Sequence, residues 1–396
     1  MQSNKALLKK DVVIIGAGAS GLMCAVEAGK RKRSVLVLEH NHKLGKKIRI
    51  SGGGSCNFTN LYIKADNYLS ENPHFCKSAI ARFGPHDFLA MLESHGIRYH
   101  EKEQGQLFCS GTSADIVTMF QKECTRTGID ISLNCTVERV RKKAGLFSVA
   151  TQFGDVEASA LVVATGGLSY PELGATDLGF RLAEEFGMKI TRLKPALVPL
   201  LFDGKDLQKF SELSGVSFDA VVSCGKKRFR GNVLFTHKGL SGPAVLQASL
   251  YWDRGDELSI DLFPDKDVYE LLLSRRGSRT VLSNFLAAYL PKRLSHFWCE
   301  LHAPPRPLCQ YTENEFKDIA HQLHKWNIRP EDTEGYRKAE ITAGGIDTGE
   351  LSSKTMEARK VPGLYFIGEV VDVAGQLGGY NLHWAWASGF VAGQYV

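Results

Sequence analysis

The chain has 396 residues, 43% of them apolar and 23% charged, enough for two or three domains around a large core. A formal net charge of +6 spread over that length does not by itself argue for a nucleic-acid partner. Nine cysteines without a Cys-x-x-Cys pair argue against a zinc site or a disulfide scaffold and favour a reducing compartment, so a cytoplasmic location is expected.

Lys5, Lys9 and Lys10 make the start basic, and with no apolar run before the first strand they read as a solvated tail rather than a signal peptide. Asp11 to Ile15 predicts a buried strand, Gly21 to about Arg31 a helix, and Ser34 to Glu39 a second strand, which is the start of a βαβ unit. The junction reads DVVIIGAGASG. Gly16 allows the tight turn, Gly18 lets backbone approach a pyrophosphate, and Gly21 allows close packing of helix on strand. With Ala17, Ala19 and Ser20 they form a cradle at a helix N-terminus, where free N–H groups and a partial positive charge favour phosphate. Glu39 ends the second strand, 39 − 21 = 18 residues after the last glycine, and its carboxylate suits ribose hydroxyls. An acid there disfavours a 2′-phosphate, so NADP is not expected in this slot.

The next motif, KLGKKIRISGGGSCNFTN, runs from Lys43 to Asn60. Ser51, Gly52, Gly53, Gly54, Cys56 and Asn57 make a loop where backbone can press against a flat ligand. Lys46 and Lys47 either add charge near a diphosphate or are simply solvated. Leu107 to Cys109 reads as a strand end, Ala114 to Thr125 as a capped helix, and Ile129 to Val140 and Leu146 to Thr151 as strands. Val137 is a further cofactor-binding candidate. Leu161 to Ala164 predicts a parallel strand covered on both faces, and Ala164, Thr165, Gly166 and Gly167 bring its end close to the dinucleotide.

From Pro195 to about Phe263 the texture changes to short β segments such as Ala220 to Cys224, and Asp267 to roughly Leu323 is helical apart from a Pro-rich break at His302 to Pro307. No internal repeat is present. Leu364 to Ile367 returns to a buried-strand signature ending at Gly368 and Glu369, an acid suited to a ribityl hydroxyl. Gly378, Gly379, Tyr380, Asn381 and Leu382 then open a helix whose N-terminal dipole can stabilise negative charge on a reduced flavin. Val373 to Val396 lacks Asp, Glu, Lys and Arg, but its glycines and Gln376, Asn381, His383 and Gln394 argue against a membrane span. The simplest architecture is a discontinuous nucleotide domain with an insertion that has a β part and a helical part.

These motifs, together with HEKEQGQLFC, LFTHKGLSGPAVLQ, EGYRKAEITAGGIDTGELSSKTMEARKVPGLYFIGE and GGYNLHWAWASG, resemble the YhiN-like (BaiN/RdsA-like) family of bacterial FAD-dependent oxidoreductases, also known as the aminoacetone oxidase family. The resemblance covers nearly the whole chain. It implies an α/β fold: a discontinuous Rossmann-like FAD-binding domain (1–194 and 340–396), an inserted β-barrel-like domain (195–265 and 330–339) and a small helical subdomain (266–329). It also implies NAD(P)H as electron donor. Two positions depart from the family pattern, Ser55 in place of Arg and Gln376 in place of Trp, which leaves the substrate open.

The remaining candidates each have a plainer reading. Cys56 has no partner cysteine nearby in sequence for disulfide exchange. His237 and His383 are possible proton donors, but a lone histidine is more often structural. Tyr170 and Tyr380 lie beside glycine loops; Trp384 and Trp386, two apart, cannot share one helix face, so one is expected in the core. The segment LFTHKGLSGPA is either a loop that closes over the flavin or a packing loop. No second Gly-x-Gly-x-x-Gly follows a strand, so NAD(P)H is expected to bind only transiently. The expected protein carries FAD noncovalently and reduces an activated C=C or C=O of a small organic substrate through flavin N5. Neither a nucleic-acid nor a membrane partner is expected, and the oligomeric state is open. The alternatives are a flavin-dependent tRNA-modifying enzyme, which would need a concentrated basic face, and a non-catalytic FAD-binding electron-transfer protein.

Overall fold

Gly16 follows a strand that is longer than its apolar run. In the computed structural model, which describes residues 8–396, β1 spans Leu8–Ile15. Lys9 and Lys10 therefore belong to a strand and not to a tail, while Lys5 lies outside the described residues. Both lysines have partners, Glu157 and Asp130 respectively. The strand extends because Leu8 to Lys10 pair in parallel with Val156 to Ala158.

The chain divides into two compact units, one made of residues up to Lys194 with Ile341–Val396 and the other of Pro195–Glu340. In the first unit β1 leads into α1 (Ala19–Lys30), β2 (Val35–Leu38) and the short α2 (Lys46–Ile50). Next come β3 (Asn57–Asn60), β4 (Gln106–Cys109), α3 (Ser113–Arg126), β5 (Asp130–Ser132), β6 (Val137–Lys143), β7 (Leu146–Thr151) and β8 (Gly154–Val163). The C-terminal segment adds β9 (Leu364–Phe366) and α4 (Tyr380–Gly393). The main sheet runs in the order β5-β2-β1-β8-β7-β6, with β9 also on β8. Its β5, β2, β1, β8 and β9 pairings are parallel, and the β6–β7–β8 meander is antiparallel. The parallel strands are buried toward their carboxyl ends, at Val12 to Ile15, Val35 to Leu38, Ala160 to Val163 and Leu364 to Phe366, the pattern of a sheet covered on both faces there.

α4 explains the uncharged C-terminus. Trp384, Trp386, Ala387, Val391 and Ala392 are all buried, so the helix is apolar all round because it is covered all round. Its glycines bring it onto α1: a Cβ on Gly389 would fall 2.4 Å from the Ser20 carbonyl oxygen, and one on Gly393 2.5 Å from Glu27 Cβ. Among the described residues, no helix is long and apolar enough to cross a membrane.

The second unit holds a seven-stranded antiparallel sheet ordered 326–328, 258–261, 217–224, 227–235, 239–241, 200–201 and 332–333. Helices Val268–Leu273, Leu282–Leu286, Lys292–His302 and Glu313–His324 pack on it. Phe235 and Trp326 of the sheet meet Phe210, which in turn meets Phe297, so strands and helices share one core.

Candidate functional site

The parallel register aligns the strand ends. Ile15 is opposite both Leu38 and Val163, and Val163 is opposite Phe366. The residues that follow, Gly16, Glu39, Ala164 and Gly368, therefore leave the sheet along one carboxyl edge, where open α/β sheets bind ligands.

Gly16 has φ +108°, and a Cβ there would fall 2.4 Å from the Ala164 carbonyl oxygen. A Cβ on Gly21 would fall 2.0 Å from the Gly16 oxygen, whereas one on Gly18 would meet nothing within 4 Å. The first and third glycines are thus filled by protein, and the second faces open space through which a ligand can approach. α1 starts at Ala19 with Gly18 as an extended N-cap, no side-chain cap and no acid in its first turn. Its N–H groups are left for an anion.

Glu39 is buried. Its Oε2 accepts from the Ala17 N–H at 2.9 Å, and Oε1 accepts from the Asn41 N–H and Nδ2, each at 2.9 Å. The acid is locked beneath the glycine loop. The Cys135 N–H donates to the Glu39 carbonyl at 2.8 Å, which puts Val137, two residues on, near the same edge.

The lysines of the second motif are not simply solvated. Lys46 donates to Asn41 Oδ1 at 2.6 Å. Lys47 donates to Glu369 Oε2 and to Ser169 Oγ, each at 2.6 Å. Glu369 Oε1 accepts from the Thr342 N–H at 2.9 Å and from Ser169 Oγ at 3.1 Å. A Cβ on Gly167 would fall 2.6 Å from the same carboxylate oxygen. Ser169 and Thr342 escaped the sequence reading; Ser169 sits two residues past a singled-out glycine pair and Thr342 inside a family segment, but nothing local links either to Glu369.

Gly52, Gly53 and Gly54 all have positive φ, and the last two have open space where a side chain would start. Ser51 Oγ donates to the Ile48 carbonyl. Ser55 is half-buried. Cys56 is fully buried, and burial pushes its thiol up to about 12, against a lowering hydrogen bond from Ser51. The fold sets Cys109 beside it, with the Cys109 N–H 3.3 Å from the Cys56 carbonyl; both thiols are free. Asn57 packs against Gly379, whose Cβ would fall 2.8 Å from its side chain. Thr165 Oγ1 is buried without a hydrogen-bond partner, and Gly166 (φ +75°) faces open space.

At the C-terminal motif, a Cβ on Gly368 would fall 2.5 Å from Ser20 Oγ, so this turn abuts the start of α1. Gly378 and Gly379, at φ +116° and +94°, turn the chain into α4. Asn381 faces back: it holds Gly375 through both backbone groups, at 2.8 Å each. Leu382 is half-buried. Tyr380 is buried edge-on to Tyr68, whose hydroxyl donates to the Tyr380 carbonyl, and burial raises the Tyr380 phenol. Gln376 exchanges hydrogen bonds with Asn67.

His383 is fully buried between Thr59 Oγ1 at 2.8 Å and the Phe83 carbonyl at 3.1 Å, and burial lowers it to about 4. It is neutral and structural. Both tryptophans lie in the core, Trp384 donating to the Gly368 carbonyl and Trp386 to the Phe58 carbonyl. Tyr170 takes φ +59° with Lys47 Nζ 6.0 Å from its ring centre. His237 is exposed in the second unit. Among the described residues, no cluster of His, Cys, Asp and Glu is arranged to hold a metal.

These features fit a dinucleotide. A tight glycine turn, a helix N-terminus without a side-chain cap, a pinned acid and open glycine backbone from two further loops suit the two phosphates, the ribose and the flat ring system of FAD.

Comparison with known proteins agrees. The chain is 47% identical over 388 residues, 97% of each chain, to a ribosomal RNA dihydrouridine synthase of Escherichia coli (strain K12). It is 30% identical over 405 residues, 96% of this chain and 97% of the other, to a 3-dehydro-bile acid delta(4,6)-reductase of Clostridium scindens. Among solved structures, 3-ketosteroid-delta4-(5alpha)-dehydrogenase from Rhodococcus jostii RHA1 superposes with a TM-score of 0.50 at 16% identity, over 99% of this chain and 98% of that one, a likeness of fold. The model of the HI0933-like protein Rossmann domain matches residues 10–395, and the chain belongs to that family of flavoprotein oxidoreductases.

Proposed function

We propose that the protein reduces the C5=C6 bond of a uracil base in ribosomal RNA to give dihydrouridine, with FAD held noncovalently and NAD(P)H as the electron source. The observation that carries this reading is 47% identity, over 97% of both chains, to a protein named for that reaction. The bile-acid reductase supports the chemistry: its name too describes a reductase. RNA thereby moves from a rival reading to the favoured one, and a free small-molecule substrate becomes the alternative.

FAD, when bound, supplies a hydride acceptor and donor at N5. The chain's own residues hold and orient it. Gly16 to Gly21 and the α1 N-terminus take the phosphates, and Glu39 takes the adenosine ribose. Ser51 to Asn57, Ala164 to Gly167 and Gly378 to Leu382 would hold the flavin, and the α4 N-terminus would favour negative charge on it. The Lys47–Glu369–Ser169–Thr342 network stiffens the floor between two of these loops. With no second dinucleotide motif, NAD(P)H and the RNA use the same open face in turn.

The test incubates the FAD-loaded protein and NADH or NADPH with ribosomal RNA from cells lacking this enzyme, followed by mass spectrometry of the nucleosides. Dihydrouridine at a defined site is the expected product. Its absence while the flavin is being reduced refutes the reading.

A further inference from the structure

The charge of this protein is not spread evenly. Residues 271–299 contain Arg275, Arg276, Arg279, Lys292 and Arg293 and no Asp or Glu, a formal +5 in a chain whose total is +6. Three of these form the run Ser274-Arg-Arg-Gly-Ser-Arg-Thr280, the loop that joins helix Val268–Leu273 to helix Leu282–Leu286. All three arginines are exposed.

Several other arginines of the same unit are neutralised at contact distance. Arg230, Arg254, Arg306 and Arg329 each pair with a carboxylate. Arg275, Arg276 and Arg279 make no ion pair or side-chain hydrogen bond among the described residues. Glu313, which feels Arg276 only through space, is engaged with Tyr269 and Lys317.

The loop that carries them is fixed. The Cys309 N–H donates to the Ser278 carbonyl and the Leu308 N–H to the Thr280 carbonyl, each at 2.9 Å, and the Ser278 N–H closes a turn onto Arg275 at 2.8 Å. The guanidinium groups project from a pinned backbone. Unpaired arginine forks suit phosphate oxygens.

We propose that Arg275, Arg276 and Arg279 form a docking surface for the phosphodiester backbone of RNA, made of side chains other than those that hold the flavin. This rests on the reading of ribosomal RNA as substrate. The surface supplies affinity, and the flavin site supplies the chemistry.

The experiment uses the full-length FAD-loaded protein and its R275Q/R276Q/R279Q variant, with protein-free ribosomal RNA as the probe. Losing three phosphate contacts makes the plot of log affinity against log salt shallower by about 2 to 3, so that between about 50 and 200 mM salt the wild type loses roughly twenty- to fortyfold more affinity than the variant. The expected result is this change, with KM for the RNA raised, kcat kept and flavin content unaltered. An unchanged slope in a variant that keeps its flavin overturns the proposal, and so does arginine-dependent binding to phosphatidylglycerol vesicles without RNA binding. If the wild type binds RNA through these arginines but makes no dihydrouridine, the surface stands and the proposed reaction fails. If the variant makes dihydrouridine at the wild-type KM, the reaction stands and the surface fails.

Discussion

Replacing Glu39 by Gln tests whether this acid binds ribose or only braces the glycine loop. A carboxylate has about four lone-pair directions. Three are occupied, by the Ala17 N–H, the Asn41 N–H and Asn41 Nδ2, which leaves one for a ribose hydroxyl. A glutamine offers a single acceptor oxygen, so its amide nitrogen must face either the Ala17 or the Asn41 donor. That strands a buried N–H and costs the apoprotein about 1–3 kcal/mol. In a unit of this size the loss lowers Tm by roughly 2–10 °C. The charged acceptor for ribose is lost as well, a further ~1.5–3 kcal/mol, or roughly 10- to 150-fold in FAD affinity. The three internal hydrogen bonds therefore predict that both the fold and FAD binding suffer. Thermal unfolding of the apoprotein and calorimetric titration with FAD separate the two effects. A lowered Tm with unchanged FAD affinity would refute the ribose assignment and leave Glu39 as a loop brace.

Two further perturbations follow from the packing of α4. His383 is held neutral at about 4, below its ordinary value, so the unfolded chain binds the extra proton between that value and about 6.5. Its contribution is complete above about pH 6.5 and falls by roughly 3 kcal/mol as the pH drops to 4; His383→Gln should flatten this acid limb in denaturant titrations, and parallel pH profiles for variant and wild type would disprove the assignment. Gly389→Ala places a Cβ 2.4 Å from the Ser20 carbonyl, which is backbone and cannot swing aside. The two helices must part at a cost of about 1–3 kcal/mol, and because Ser20 lies in the first turn of α1, FAD affinity should drop together with Tm. An unchanged Tm would show that the α1–α4 contact is not tight.

What could be read in the sequence is what depends on neighbours in sequence. The turn from β1 into α1 was legible because its glycines answer local demands: the structure crowds backbone against Gly16 and Gly21 and leaves open space at Gly18. Boundaries were less so: β1 begins at Leu8 rather than Asp11 because its partner β8 is long enough to carry it, and α1 begins at Ala19 rather than Gly21 because its first turn needs no special side chain. The polar side of the site was mostly hidden. Lys47 and Glu369 are 322 residues apart, and only the alignment of strand ends brings them together. The same holds for His383, which looked like a candidate acid until Thr59 and Phe83 closed around it. Pairings at such separations follow from sheet order, which no local pattern encodes.

The proposed RNA substrate runs against the charge argument, and the reason is physical. A total of +6 over 396 residues looks unremarkable, and it discouraged a nucleic-acid reading. But an approaching phosphate does not sense the whole chain. At physiological ionic strength the screening length is about 8 Å, so only charges within that reach act together. The relevant quantity is the unpaired charge on one patch. Arg230, Arg254, Arg306 and Arg329 cancel locally against their carboxylates, whereas among the described residues no carboxylate meets Arg275, Arg276 or Arg279 at contact distance. A chain of near-balanced charge can therefore present a strongly basic face, and an acid-free window of some thirty residues is the signal to look for.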